Sequence, residues 1–211
     1  MSRVLKYGIV SLLIITLLTI VTILMSNSAN GVADYKIKCE NSQNKIECLT
    51  SESLLQAKNS SLNQSLQNLN TYIKNSKIDE IECHLIYHAV GGSYYKEFGE
   101  KAYIPETSEC YGSYYHGVIL ESSLNYKNSI KNYTSDILNS CNKLATTDFV
   151  NCIHGIGHGA YALSEGNVEK ATEICAQVTI NTICAAGVWM AFEDDPSHPT
   201  QFSTPLVAQN V

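Results

Sequence analysis

Residues 83–88 read CHLIYH and residues 152–161 read CIHGIGHGAY. Each stretch carries two histidines four positions apart, close behind a cysteine. On an α-helix such positions are about 40° apart in projection, so both imidazoles can aim at one point. Neutral imidazole is the commonest biological metal ligand. Two pairs converging from neighbouring helices would build a transition-metal site for Zn, Cu or Fe. The expected ligands are His84, His88, His154 and His158, with His116 or Glu165 completing the set.

Glu165 enters because His154, His158, Tyr161 and Glu165 continue one helical ridge. His116 enters through register: it follows Cys110 by the interval at which His158 follows Cys152, and Met190 stands at that interval after Cys184. In the first pair, Ile81 and Leu85 share the histidine side, which directs the rings toward a core. Were the site hydrolytic, a metal-activated water would attack, with Glu121 or Glu165 as base. The base of the HExxH zinc proteases is missing from both pairs, and no CxxCH haem attachment, serine elbow, P-loop, dinucleotide-binding glycine motif or EF-hand loop is present. The competing reading is a non-catalytic helical-repeat module that binds a protein partner, its imidazoles bonded to backbone carbonyls between tightly packed helices. His198, in a proline-rich tail, receives no role.

The glycines beside the second pair need a reason. Gly155, Gly157 and Gly159 would each cost a helix about 1 kcal/mol relative to alanine. On a helix, Gly155 and Gly159 form a flat strip that lets another backbone approach closely, and Gly187 with Ala191 offers a similar strip further on.

The elements that must carry these residues are helical. Leu55, Leu62, Leu66, Leu69 and Ile73 make one amphipathic stripe over Ser51–Asn75. Further helices are expected from Asp79 to Val90, ended by Gly91-Gly92, and over much of Tyr111–Ser140 with a break near Asn128–Thr134. A short one is centred on His158, and others run over Val168–Cys175 and from about Thr182 to Phe192. Residues 94–110 read as irregular. The 13 tyrosines suit a core whose hydroxyls reach water or imidazole.

Eight cysteines staple this frame. CENSQNKIEC, CNKLATTDFVNC and CAQVTINTIC are three similar loops, each closing what reads as a helical hairpin. Helix ends in such a hairpin come close enough for a disulfide, and a loop of about ten residues then contributes roughly 2.5–3 kcal/mol. The expected bridges are Cys39–Cys48, Cys141–Cys152 and Cys175–Cys184, leaving Cys83–Cys110 as the fourth. The spacings are too wide for a zinc knuckle.

The amino terminus sets the compartment. Gly8–Met25 is an uncharged apolar run of 18 residues, about 27 Å as a helix and near the thickness of a bilayer core. Arg3 and Lys6 precede it, so a retained anchor would leave the bulk of the chain outside the cytoplasm. Cleavage as a signal peptide after small residues such as Ser28 and Ala29 is the alternative, and would release a secreted domain. Disulfides and three Asn-x-Ser/Thr sequons (Asn59, Asn63, Asn132) suit export. Without Arg3 and Lys6, 12 basic face 20 acidic side chains, a net charge of −8, which disfavours nucleic acid as a partner.

The expected architecture is therefore all-α: short disulfide-stapled helical hairpins, as a bundle or short α-solenoid, after an N-terminal transmembrane helix. The parts are an anchor over 1–31, a stalk over 32–76 with the Cys39–Cys48 loop and the amphipathic helix, a Cys/His-rich helical domain over 77–195, and an extended tail over 196–211. The helix over 51–75 would suit self-association or a protein partner.

Overall fold

A computed structural model describes residues 14–16, 31–105, 107, 109–127 and 129–195. Every regular element among them is helical, and four disulfides tie the elements together. The chain divides into two units, Met1–Lys77 and Ile78–Val211. The apolar run Gly8–Met25 lies outside the described residues apart from 14–16, which are helical; no helix of the described residues is long and apolar enough to cross a membrane. The tail 196–211, His198 included, also lies outside them.

In the first unit, α1 (residues 31–39), α2 (Lys45–Asn59) and α3 (Leu62–Ser76) follow one another. Cys39 ends α1 and Cys48 sits in the first turn of α2, with Cα atoms 5.6 Å apart. The single helix expected over 51–75 is in fact two. Ser61 adopts an extended backbone and its side chain accepts from the Gln64 amide, so it caps a new helix where the old one would have continued. The leucine stripe divides at this point: Leu66, Leu69 and Ile73 are buried, whereas Leu55 is exposed.

The second unit holds α4 (Glu80–Phe98), α5 (Ser113–Ser123), α6 (Ile130–Cys141), α7 (Thr146–Leu163), α8 (Val168–Cys175) and α9 (Asn181–Glu193). Short 3₁₀ turns cover Gly99–Tyr103, Glu109–Gly112 and Leu124–Tyr126. α4 packs on α5, α5 on α7 and α7 on α9, with α6 and α8 also against α7. Two hairpin closures repeat the device of the first unit, and one longer bridge accompanies them. Cys141 and Cys175, the last residues of α6 and α8, are bonded to Cys152 and Cys184 near the starts of α7 and α9, and Cys83 in the first turn of α4 is bonded to Cys110. All four pairings follow the expected scheme.

Two helices outrun their expected ends. α4 passes straight through Gly91-Gly92 and stops only at Gly99, whose φ of 58° favours glycine. α7 is a helix of 18 residues, not a short one about His158. The cause is the same in both cases: these glycines are contact points. A Cβ on Gly91 would lie 2.0 Å from the Tyr114 carbonyl oxygen, and one on Gly117 would lie 1.9 Å from that of His88. Gly157 and Gly187 repeat the arrangement between α7 and α9, against the carbonyls of Cys184 and His154. Neighbouring backbones touch at these crossings, and packing across them outweighs glycine's poor helix propensity. Tyrosines seal some of the gaps and reach backbone carbonyls there: Tyr133 donates to Ile156 and Tyr114 to Ala102.

Candidate metal centre

Three adjacent helices deliver five histidines to one place. α4 supplies His84 and His88, α5 supplies His116, and α7 supplies His154 and His158. The His116 ring lies 4.6 Å from that of His154 and 4.8 Å from that of His158, nearly parallel to both. It is also 5.3 Å from His84 and 6.3 Å from His88. The two H-x3-H pairs meet directly, with His88 and His158 rings 5.7 Å apart.

The glycines beside the histidines make this convergence possible. Gly117, next to His116, lets α5 lie against the α4 backbone at His88. Gly155, next to His154, lets α7 approach α5, where a Cβ would sit 3.1 Å from the Tyr115 carbonyl oxygen and 3.3 Å from the His116 Cα. Gly159 makes room for the Tyr133 hydroxyl. The HGIGHG segment is thus helical, its imidazoles on one side and its glycines against three different neighbours.

Burial grades across the cluster. His116 and His158 are 2% and 5% exposed, whereas His84, His88 and His154 are half-buried. Burial drives every ring toward its neutral form. It holds His116 and His158 well below the ordinary histidine value, reinforced by the neighbouring imidazoles. His88 and His154 are pushed down to about 4 by burial, with His84 adding to the effect. Burial also lowers His84, but the Asp194 carboxylate and a hydrogen bond to the Cys110 backbone oppose it. At neutral pH each ring therefore keeps a lone pair available for coordination.

One nitrogen from each of His116, His154 and His158 can be chosen so that all three lie within 4.8 Å of one another. Points so spaced share a centre no more than about 2.8 Å from each, and metal–nitrogen bonds are about 2.0–2.1 Å long, so ring movements of under about 1 Å close the site. A second observation concerns the same residues. His116 Nδ1, His154 Nε2 and His158 Nε2 are buried without a hydrogen-bond partner. Each unsatisfied polar atom in an interior costs about 1–3 kcal/mol. His84, by contrast, is hydrogen-bonded at the Cys110 backbone. Three neutral nitrogen donors suit a borderline transition metal such as Zn, Cu or Fe.

The structure alters the expected ligand set. His116, expected as a supplement, is the central ring. Glu165 does not join: it lies beyond the end of α7 with φ of 52°, is exposed, and lines a separate surface cavity with Lys170 and Glu173. The chain leaves the helix after Leu163, so the ridge that would have carried Glu165 inward ends before reaching it. Glu121 is not in the triad's ligand group either. Ile81 and Leu85 do not accompany the histidines inward, being 63% and 48% exposed; the buried arc of α4 is Cys83, Ile86, Tyr87 and Val90, and His84 and His88 line its edge. Asp194, the C-cap of α9, escaped sequence reasoning. Its closeness to His84 comes from helix packing, which no spacing in the chain encodes.

Fold and site together define an all-helical, disulfide-stapled domain with a buried imidazole cluster able to hold a metal. Compared with protein families, with curated proteins and with solved structures, the chain matches none.

Proposed function

We propose that this chain is an extracytoplasmic metal-binding protein in which His116, His154 and His158 hold one transition-metal ion. The observation that carries the reading is the coincidence of three convergent imidazoles with three buried, unpartnered imidazole nitrogens on the same residues. Four disulfides support an exported location. The apolar run Gly8–Met25 would hold the protein at a membrane, or be removed in a secreted form.

Metal handling (binding, storage or delivery) fits the site better than hydrolysis. Neither carboxylate weighed as a base, Glu121 or Glu165, belongs to the triad's ligand group. The protein contributes three neutral donors, a low-dielectric surrounding and helices held in register by disulfides.

The test is metal content and affinity of the full chain, purified without a histidine tag and dialysed against Zn2+, Cu2+ or Fe2+. One equivalent of one of these metals, lost in both His116→Ala and His158→Ala, is expected. A folded protein that binds none of them would leave the helical-repeat interaction module as the reading to pursue.

A further inference from the structure

The triad takes three of five clustered imidazoles, and the other two require their own account. His84 and His88 lie outside the group whose nitrogens share a centre. They remain in contact with it: His84 is 5.3 Å from His116 and His88 is 5.7 Å from His158, ring to ring. They are 6.2 Å from each other. Both are half-buried, whereas the rings they touch in the triad are closed to solvent. The five rings thus run from a half-buried edge, made by His84, His88 and His154, to the sealed His116 and His158 in steps no longer than the width of one imidazole-bound ion with its ligands.

From this gradient we infer that His84 and His88, with Asp194 near His84, are the intake route by which a divalent transition-metal ion reaches and leaves the triad. The inference rests on the metal reading above. The H-x3-H pair on α4 offers two half-buried nitrogen donors, enough to capture an ion and too few to keep it. His88 lies against His158 and His84 against His116, so each can pass the ion inward by ligand exchange. One metal–nitrogen bond forms as one breaks, the charge on the ion is unchanged, and waters it carried are released at the mouth. Asp194 caps the C-terminal end of α9, where the helix dipole is negative, and its exposed carboxylate acts on His84. That is the sign of field that draws a cation in. His84 is held for this task by the Cys110 backbone, itself tied to α4 through Cys83.

A route differs from a ligand in a measurable way. A group that ferries the ion but does not hold it in the final state lowers the barrier equally in both directions, so it changes rates and leaves the equilibrium alone. The experiment is stopped-flow loading of the full chain with Zn2+, and release of Zn2+ to excess chelator, for wild type, His84→Ala/His88→Ala and Asp194→Asn. In the double variant, loading and release are expected to slow by the same factor, roughly tenfold or more given the effective concentrations that tethered ligands supply, while Kd stays within about twofold. Asp194→Asn is expected to slow loading less and to weaken its salt dependence. A Kd weakened about 10- to 100-fold in the double variant, the usual loss for a ligand's supporting partner, would overturn the route by showing a standing role in the bound state. Unchanged rates in a folded variant would overturn it as well. Failure of the wild type to bind Zn2+, Cu2+ or Fe2+ at all would instead remove the metal reading itself, and this inference with it.

Discussion

The two units are built alike and differ in how they treat buried polar atoms. Both are helical hairpins closed by disulfides, and both bury polar side chains. In the first unit most of these satisfy one another: Tyr35 shares a hydrogen bond with Ser53, Ser65 donates to the Ser53 carbonyl, Asn68 donates to Gln56, and Gln56 donates to the Gly31 carbonyl. The hydroxyls of Thr50 and Tyr72 are left over. In the second unit the unsatisfied atoms are chiefly imidazole nitrogens, and they belong to residues that converge. A closed polar network fixes a fold; a convergent open one awaits a ligand.

The contrast can be broken most severely at a helix crossing. Gly117→Val is expected to destabilise the second unit by about 3 kcal/mol or more, because the new Cβ would meet the His88 carbonyl. Denaturation followed by near-UV circular dichroism reads this directly, and a wild-type midpoint would refute the tight crossing. Next come the bridges. Replacing Cys141 and Cys152 with serine should cost roughly 3 kcal/mol, as should replacing Cys39 and Cys48, since the loops are of similar length. Only the first loss should lower metal affinity. Equal effects on Zn2+ binding from both pairs would argue against a site confined to the second unit.

Smaller in size but sharper in sign is a pair of leucine substitutions made in metal-free protein. Asn68→Leu should destabilise by about 1–3 kcal/mol, because it strands the Gln56 side chain. His116→Leu should be close to neutral or stabilising, because it removes an atom that already lacks a partner. Comparable destabilisation by both would mean that the His116 ring is satisfied after all.

The gentlest test is acid. His88 and His154 have folded-state values of about 4, below the roughly 6.5 of an unfolded chain. Between those values the unfolded state binds more protons, so stability rises with pH. The metal-free second unit should hold its full stability above about pH 6.5 and lose it progressively toward pH 4. Denaturant melts with chelator present at several pH values would show the slope, and a flat profile would mean that the rings are not buried neutral.

What the sequence revealed was mostly local. Cysteines at helix ends disclosed their partners because a hairpin brings sequential ends together, and α8 is bounded as expected because Asn167 caps it. The i, i+4 histidines were legible for the same reason: one helix places both. What escaped was set between helices. His116 had only a register argument, yet it is central because α5 lies between α4 and α7. Gly91 and Gly92 read as a stop because propensity is local, while the contact that makes them helical lies on α5. Asp194 carried no signal at all.

One bridge has a consequence beyond stability. Cys110 supplies the backbone contact of His84, and its place beside α4 is covalently fixed by Cys83. Before those two sulfurs join, nothing covalent keeps that contact beside the ring. On the intake proposed above, a chain with Cys83 and Cys110 still reduced would hold this contact only through non-covalent neighbours such as the Tyr111–Glu80 hydrogen bond. On that proposal, oxidation of this one bridge would set how firmly the capturing ring is held.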